Sequence, residues 1–213
     1  MTDTRESGQK NQPSGAQAGP RPNARSDALR NRARLLAAAE SVFASAGPEA
    51  SLNQIARQAG VGAGTLYRHF PTREALLAAV LTERIERLTQ RADALLAEPD
   101  PDRALADWLH AFLDHAQAQQ GLGSALLLTK SELGFDCHQR LREAAGELLA
   151  RAQGRGTTRP DLTTEEMLRL VVGIALATSG GVTDEDGGEA ARPERLLALV
   201  LDALRRRPSK ARR

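Results

Sequence analysis

The sequence predicts an all-α protein, with a three-helix helix-turn-helix domain near the N-terminus and a larger C-terminal helical bundle behind it. Hydrophobic residues make up 41% of the 213 residues but aromatic residues only 3%. Leu, Ala and Val must therefore build the core, and Ala and Leu favour helices. No segment alternates polar and apolar residues as a half-buried strand does. A chain of this length can form one small domain attached to a larger one.

A first helix is predicted from Asp27 to Ala46, because Gly47-Pro48 then ends it. Its expected buried stripe consists of Leu29, Leu36, Val42, Phe43 and Ala46. The preceding residues 1–26 are rich in Gly, Pro, Ser, Asn and Gln and have almost no large apolar side chains. Such a segment cannot bury enough surface to offset its chain entropy, so we expect a disordered basic tail.

The segment SLNQIARQAGVGAGTLYRHF, from Ser51 to Phe70, predicts two short helices joined by a tight turn. Ser51 can cap the first helix, and Gln54 completes a capping box. Gly60 can supply the turn, since only glycine reaches positive φ without a steric penalty. The expected contacts between the helices come from Leu52, Ile55, Ala56, Ala59, Val61, Leu66 and Phe70. This is the layout of a helix-turn-helix, whose second helix is short enough to enter a major groove.

Hydrogen-bond donors cover the exposed face of the second helix, all within about one turn: Thr65, Tyr67, Arg68 and His69. The small residues Gly62, Ala63 and Gly64 leave the helix start unobstructed, so its backbone N–H groups can approach a phosphate or a base edge. The alternative interpretation is a surface helix pair whose polar face is merely solvated.

Residues from about Asp27 to Leu81 resemble the N-terminal domain of TetR-type transcriptional repressors. The stretch GVGAGTLYRHFPTREALL, residues 60–77, is similar to the usual sequence of that family at this place. The resemblance covers about a quarter of the chain, and the remainder is similar only in its helical layout and length. It implies that the following residues contact DNA: Ser51, Thr65, Tyr67, His69 and Arg73. The last three would hold phosphates, and the start of the recognition helix would face the bases. Ala63 and Gly64 stand where some members carry larger polar groups, so the operator cannot be read from the sequence.

Charge is distributed unevenly along the chain. Residues 1–80 contain ten basic and six acidic residues, whereas the remainder contains nineteen basic and twenty-one acidic ones. A basic N-terminal end on a mildly acidic body suits a protein that offers one face to a polyanion. The basic residues of the two tails, Arg21 and Arg25 at the start and 205–213 at the end, either reach DNA or are merely solvated.

A long helix is predicted after the helix-turn-helix, from the cap at Thr72 to about Ala97. Its first half should pack on the N-terminal domain, and its second half should face another core from Leu81 through Ile85, Leu88 and Leu95. The later helices are expected over about 101–119, 135–153, 167–177 and 193–206. Between them we expect a short apolar segment at 121–131 and a mobile loop at 179–188, and residues 207–213 should form a basic disordered tail.

Four side chains are candidates for lining a small-molecule cavity in the bundle. Trp108, Phe112 and His115 recur at helical spacing with Gln119, and Met167 is a further candidate. An apolar cavity with a few polar groups is where a bundle holds a ligand. The alternative is that these side chains simply fill the core. By resemblance, residues 82–206 form an effector-binding and dimerisation domain, and residues 27–81 a DNA-binding domain.

The last two predicted helices are more apolar than one bundle requires. One carries Leu168, Val171, Val172, Ala175 and Leu176, and the other Leu196, Leu197, Leu199, Val200, Leu201 and Leu204. Such a surplus indicates burial on both sides, and the second side is expected to be the same helices of another subunit. We therefore expect a homodimer, which would place two recognition helices in successive major grooves.

Several other classes of site find little support in the sequence. The four histidines have no spacing or companion ligands that would make a metal site. No nucleophile can be paired with a base, so a catalytic site is not expected; a reactive Cys137 is the minor alternative. The glycines at 60–64 do not match the spacing of a phosphate-binding loop. We therefore expect no metal, no cofactor and no catalytic residues.

The cellular setting follows from simple features of the sequence. A single cysteine excludes an intrachain disulfide and suits a reducing cytosol. The polar N-terminus lacks a secretory signal, and no apolar run approaches the ~20 residues that span a bilayer. We expect a cytoplasmic, nucleoid-associated protein without a membrane partner.

Taken with the resemblance, these features predict a ligand-responsive DNA-binding transcriptional regulator. We expect a repressor that binds a palindromic operator on double-stranded DNA as a dimer and is released by a small-molecule effector. Two alternatives stay open: a protein that coats DNA without sequence preference, and a small-molecule-binding module without operator specificity.

Overall fold

The computed structural model describes residues 24–120, 134–179 and 192–205. These residues form eight helices: α1 Ala24–Ala46, α2 Leu52–Gln58, α3 Ala63–His69, α4 Arg73–Leu95, α5 Pro101–Gln120, α6 Gly134–Gly154, α7 Thr164–Ser179 and α8 Pro193–Leu204. Within these ranges the only β-type pairing is one isolated bridge between Thr158 and Arg205. The predicted all-α class is confirmed. None of the helices that the structure describes combines the length and apolarity needed to cross a membrane.

Two hydrophobic cores are arranged along the chain. The first joins α1, α2, α3 and the first half of α4, around side chains such as Leu35, Ile55 and Leu66. The second joins the rest of α4 to α5, α6, α7 and α8, around side chains such as Trp108 and Leu148. Helix α4 contributes to both cores, so it is the structural link between the helix-turn-helix and the bundle.

Side-chain caps define where several helices begin, as the sequence predicts. Ser51, Thr72 and Asp100 each accept a hydrogen bond from a backbone N–H two or three residues later, at 3.4, 3.1 and 3.1 Å. Thr163 and Glu166 form a reciprocal capping box. The N–H of Thr163 donates to Glu166 Oε2 at 2.9 Å, and the N–H of Glu166 donates to Thr163 Oγ1 at 3.2 Å. Each cap satisfies a donor that the first turn of a helix would otherwise leave unpaired.

Helix α1 ends at Ala46 as predicted, but it begins earlier and its buried stripe is shorter at both ends. It begins at Ala24, three residues early, and Arg30 donates to the side chains of Ser26 and Asp27 within this added first part. Leu29, expected in the buried stripe, is 63% exposed, since it lies two turns before the stripe that meets the core. Ala46 is also exposed at the last helical position. The buried face consists of Leu35, Leu36, Ala38, Ala39, Val42 and Phe43.

In α4 the change from one core to the other comes one turn later than predicted. Leu81, expected in the second core, belongs to the first, and Ile85 is the first residue of the second. The reason is that Leu77 and Leu81 are four residues apart and share the face that packs on α1. The helix ends at Leu95, where Arg151 of α6 donates to the carbonyl oxygen of that residue at 3.3 Å.

The end of the last helix is fixed by a segment from elsewhere in the bundle. Helix α8 ends at Leu204, two residues before the predicted end. The carbonyl oxygen of Leu204 accepts a hydrogen bond from the N–H of Arg159 at 3.0 Å. The predictions for residues 1–23, 121–131, 180–188 and 207–213 lie outside the described residues.

Candidate nucleic-acid interface and ligand cavity

The turn between α2 and α3 is closed by two backbone hydrogen bonds. The N–H of Val61 donates to the carbonyl of Ala56, and the N–H of Gly60 donates to that of Arg57, both at 3.0 Å. This pair of bonds defines a Schellman motif, which requires a residue in the left-handed region. Gly60 fills that position with φ +65°. The predicted role of this glycine is confirmed.

The two short helices meet through small and apolar side chains. Ile55 and Ala56 of α2 and Leu66 of α3 are all buried, and Phe70 closes the end of α3. Because Ala56 projects only a methyl group, the helix axes can approach closely at the crossing. The same packing fixes which face of α3 remains outside.

The outer face of α3 carries most of the predicted DNA-contacting side chains. Tyr67 is 48% exposed, Arg68 is exposed, and Thr65 and His69 are half-buried. Arg68 donates from Nε to the carbonyl oxygen of Gly64 at 3.2 Å, which holds its side chain along the helix. The structure therefore leaves these four donors at the surface of a seven-residue helix, around the part of its circumference that does not pack on the core.

The start of α3 is open at its surface. Gly62 is the N-cap and makes no side-chain capping bond, and Ala63 and Gly64 are exposed. The first N–H groups of a helix have no intrahelical acceptor, so they can donate to another molecule. Ser51 is also exposed, although its hydroxyl accepts the capping bond from the N–H of Gln54.

Arg73 has contacts that the sequence did not reveal. It is half-buried at the start of α4, and its Nη1 donates to the carbonyl oxygens of Pro48 at 2.7 Å and Ala50 at 2.5 Å. These bonds fasten α4 to the segment that leads into α2. Part of this guanidinium is thus engaged within the protein, whereas the resemblance implies a phosphate contact.

Two arginines of α1 also lie beside the helix-turn-helix. The guanidinium carbon of Arg32 lies 5.7 Å from the centroid of the Phe70 ring, and a Cβ at Gly60 would lie 3.6 Å from Arg34 Nη1. The sequence shows these residues only as basic positions near the start of α1. Their placement depends on how α1 crosses α2 and α3, which periodicity does not report.

A cavity of about 290 Å³ lies among α4, α5, α6 and α7. Two of the four candidate ligand residues, Phe112 and His115, are in its wall, with His138 opposite. Trp108 and Met167 are instead fully buried in the second core. The indole Nε1 of Trp108 donates to the carbonyl oxygen of Leu88 at 2.9 Å, so its polar atom already has an acceptor.

Three rings are stacked along α5 between the core and this cavity. Trp108 and Phe112 have centroids 5.4 Å apart with an interplanar angle of 9°, and Phe112 and His115 have centroids 6.1 Å apart. Burial, and next the positive charge of Arg84, lower the pKa of His115 from its usual 6.5 to about 4. The imidazole is therefore neutral at pH 7, and the cavity presents it as a polar but uncharged group.

Known protein families match both parts of the chain. Residues 35–80 match the bacterial regulatory proteins of the tetR family, and residues 100–206 match the C-terminal domain of SbtR-like transcriptional regulators. The chain belongs to the TetR family. TetR regulators bind DNA through the helix-turn-helix, so this protein is a DNA-binding transcriptional regulator.

Individual TetR-family proteins resemble the chain over most of their length. The TetR transcriptional regulator SCO0520 from Streptomyces coelicolor is 42% identical, with a TM-score of 0.68, over 82% of this chain and 98% of that one. A TetR transcription regulatory protein from Mycobacterium vanbaalenii is 36% identical, with a TM-score of 0.67, over 85% and 99%. The HTH-type transcriptional regulator UidR from Escherichia coli strain K12 is 25% identical over 84% of this chain and 95% of its own.

Proposed function

We propose that the protein is a homodimeric repressor that binds a palindromic operator through α3 and is released by a small-molecule effector. The observation that carries this proposal is the exposed surface of α3, which carries four hydrogen-bond donors and begins at an N-terminus that no side chain caps. A helix of this size fits a major groove, and its N-terminal residues are the ones that meet base edges in helix-turn-helix proteins.

The roles within this surface are divided between phosphates and bases. Tyr67 and His69, together with the hydroxyl of Ser51, are assigned to phosphates, which position the protein without reading sequence. Thr65 and the exposed backbone of Gly62, Ala63 and Gly64 are assigned to base edges. Arg68 lies on the same face and adds positive charge. Arg73 contributes to phosphate binding with whatever part of its guanidinium the two carbonyl contacts leave accessible.

The apolar surface of α7 and α8 supports the dimer. Four large hydrophobic side chains there are well exposed in the single chain: Leu170, Val172, Leu176 and Leu199. Exposed apolar side chains gathered on adjacent helices indicate a protein interface. A two-fold pairing through these helices would set the two α3 helices about 34–36 Å apart, which is one turn of DNA.

The cavity among α4 to α7 is the proposed effector site, with Phe112 and His115 in its wall. Helix α4 runs from the cavity at Ile85 back to Arg73, which is bonded to the segment before α2. A ligand that favours one position of α4 would therefore change the spacing of the recognition helices. Each ~1.4 kcal/mol of differential affinity changes operator occupancy about tenfold. In this proposal residues 27–81 bind DNA, and residues 82–206 bind effector and partner.

Selection of bound fragments from randomised duplex DNA tests the proposal directly. We expect enrichment of an inverted repeat whose half-sites are centred one helical turn, or a whole number of turns, apart. Failure to enrich any motif at modest ionic strength would contradict operator binding. Enrichment of a single half-site would contradict the dimer alone.

Two variants separate the assigned roles in the same assay. Tyr67→Phe removes one hydroxyl from an exposed side chain and should weaken binding to all sequences by a similar factor. Thr65→Val keeps the shape of the side chain but removes its hydroxyl, so it should change the preferred bases. An equal loss on all sequences for Thr65→Val would contradict its role in base reading.

A further inference from the structure

A second and larger cavity, of about 500 Å³, lies where α1, α4 and α5 meet. Its ionisable wall residues are Glu40 of α1, Arg84, Arg87 and Arg91 of α4, and Asp114 and His115 of α5. His115 is the one residue that it shares with the proposed effector cavity. The cavity thus touches a helix of the first core and a helix of the second, at the joint between the two parts of the protein.

An ion-pair cluster forms one side of this cavity. Glu40 Oε1 lies 2.8 Å from Arg84 Nε and 2.7 Å from Arg87 Nη2, and Glu40 Oε2 lies 2.9 Å from the same Arg87 atom. Burial disfavours the ionised Glu40, but the hydrogen bonds from Arg87 and Arg84 outweigh it and hold the pKa of this carboxyl below its usual value. Glu40 is therefore a carboxylate at neutral pH, and both of its oxygens are engaged.

One donor of the cluster lacks an acceptor. Arg84 is only 8% exposed, and its Nη1 is buried with no hydrogen-bond partner among the residues that the structure describes. A buried guanidinium N–H without an acceptor carries the full penalty of leaving water. Glu40 accepts a hydrogen bond from Nε of the same side chain, so this guanidinium has an acceptor at Nε but none at Nη1 within the described ranges. Nη1 itself has almost no accessible surface, so an acceptor from outside the chain completes it only after the guanidinium turns toward the cavity.

The charge of the cavity also favours an anion. Three arginines face two carboxylates, since His115 is neutral at pH 7. Both oxygens of Glu40 are already used, and Arg91 has no ion pair within the described part of the chain. The remaining wall is apolar and consists of Leu88, Ala111 and Ala118. Positive charge beside an apolar wall matches a ligand with one anionic end and one apolar end.

We propose that this joint binds a small organic carboxylate, whose oxygens pair with Arg91 and with the Arg84 guanidinium turned toward the cavity, while its apolar part lies against Leu88 and Ala111. The site shares only His115 with the effector cavity, and binding there does not depend on operator recognition. The anion contacts α4 through Arg84, Arg91 and Leu88 and α5 through Ala111, so it adds to the contact between these two helices and stabilises the joint.

Titration of the full-length protein with benzoate, without DNA, tests the site by calorimetry and by the thermal unfolding midpoint. Benzamide is the neutral control of the same shape, and inorganic phosphate is an anion without an apolar part. We expect benzoate to bind and raise the midpoint, with weaker binding of phosphate and none of benzamide. No binding of benzoate, or equal binding of benzoate and benzamide, would overturn the proposal. Phosphate binding as tightly as benzoate would overturn the assigned apolar wall.

Two variants with opposite expected effects locate the site. Arg91→Gln removes an exposed positive charge that makes no ion pair among the described residues, and it should weaken benzoate binding roughly three- to fivefold. Asp114→Asn removes an opposing charge and should strengthen binding by a similar factor. A purely structural role of either residue would not produce this change of sign.

A third variant controls for binding in the other cavity. Arg142 lies in the wall of the effector cavity and outside the joint, so Arg142→Gln should leave the affinity for benzoate unchanged. If Arg142→Gln weakens binding while Arg91→Gln does not, the benzoate occupies the effector cavity and the proposal is wrong. The same assignment fails if neither Arg91→Gln nor Asp114→Asn changes the affinity.

Discussion

Arg73 at the start of α4 donates from Nη1 to the carbonyl oxygen of Pro48, 2.7 Å away and 25 residues earlier in the chain. A second bond from the same nitrogen reaches Ala50. Hydrogen bonds from a charged donor are among the stronger ones in proteins, and these two join the connecting helix to the segment before α2. The bonds therefore tie α4 to this segment directly, in addition to the short connection through residues 70–72.

Replacement of Arg73 by lysine tests this brace. Lysine keeps the charge, but its Nζ ends where Cζ of arginine lies, one bond short of Nη1, so we expect it to lose the carbonyl contacts. We expect a loss of about 1.5–3 kcal/mol in the free energy of unfolding, measured in urea. The exposed Arg68→Lys is the matched control and should change stability little.

The salt dependence of DNA binding distinguishes the brace from phosphate binding by the same residue. Removal of a side chain that binds a phosphate reduces the slope of log affinity against log salt by about 1. Arg73→Ala should lower both stability and this slope if both roles are present. Unchanged stability of Arg73→Lys would contradict the brace.

Gly60 should be sensitive to any side chain, because its φ of +65° lies in the left-handed region. Gly60→Ala is expected to destabilise the protein by about 1–2 kcal/mol. The added methyl group meets only the end of the Arg34 side chain, at 3.6 Å, so the cost comes from the backbone. Thermal or urea unfolding measures it.

Gly154→Ala is the matched control for this prediction. Gly154 ends α6 in a right-handed helical conformation, and a Cβ there would meet nothing within 4 Å. Alanine should therefore be neutral or stabilising by up to about 1 kcal/mol. Equal losses in the two variants would mean that the turn conformation at Gly60 is not strained by alanine.

Leu176 and Leu199 are expected to bury their side chains between two subunits, because they are 57% and 52% exposed in one chain. The double variant Leu176→Ser, Leu199→Ser should weaken dimerisation by tenfold or more, since burial of one leucine contributes about 1.5–3 kcal/mol. Sedimentation equilibrium measures the dissociation constant. Leu29→Ser is the control, as Leu29 is 63% exposed on α1, away from α7 and α8. Loss of the dimer in the control variant, or its persistence in the double variant, would contradict the assigned interface.

His115 predicts how stability depends on pH. Its pKa is lowered to about 4 in the folded protein, by burial first and then by the charges of Arg84, His138 and Arg87, against the opposing effect of Glu40. The unfolded chain takes up a proton below about pH 6.5, whereas the folded protein does not until about pH 4. The free energy of unfolding should therefore fall as the pH drops across this window, by about 3 kcal/mol from this residue.

Urea unfolding of His115→Gln across the same window isolates the effect. The variant should lose less stability than the wild-type protein between pH 6.5 and 4, because the substituted side chain does not titrate. His110→Gln removes an exposed imidazole from the same helix and should follow the wild-type curve. A wild-type profile that is flat over this range would contradict the buried, neutral state of His115.

Local chemistry made the helix starts and the turn predictable from sequence. Ser51, Thr72 and Thr163 each bond to a backbone N–H within three residues, so the pattern alone contains the interaction. The same holds for the turn at Gly60, whose two hydrogen bonds span three and five residues along the chain. Interactions of this range do not depend on how the helices pack, and the structure confirms them.

Contacts between distant segments were not predictable in this way. Arg84 and Glu40 are 44 residues apart, and neither position differs in sequence from an ordinary exposed charge on a helix. Leu29 and Leu81 were placed wrongly for a related reason: the periodic pattern gives the apolar face of a helix but not where the neighbouring helix ends. The same limit applies to the candidate ligand residues: Phe112 and Trp108 share a helix face, but only Phe112 lies at a cavity, while Trp108 is buried in the core.

The sharing of α4 between the two cores has a consequence for how the protein melts. Leu81 and Ile85 lie on adjacent turns of one uninterrupted helix, yet they belong to different cores. Unfolding of either core exposes apolar side chains of α4 and removes contacts that hold this helix against the other core. Calorimetry should therefore record a single cooperative transition, and amide protons from Leu77 to Leu88 should be among the slowest to exchange with solvent.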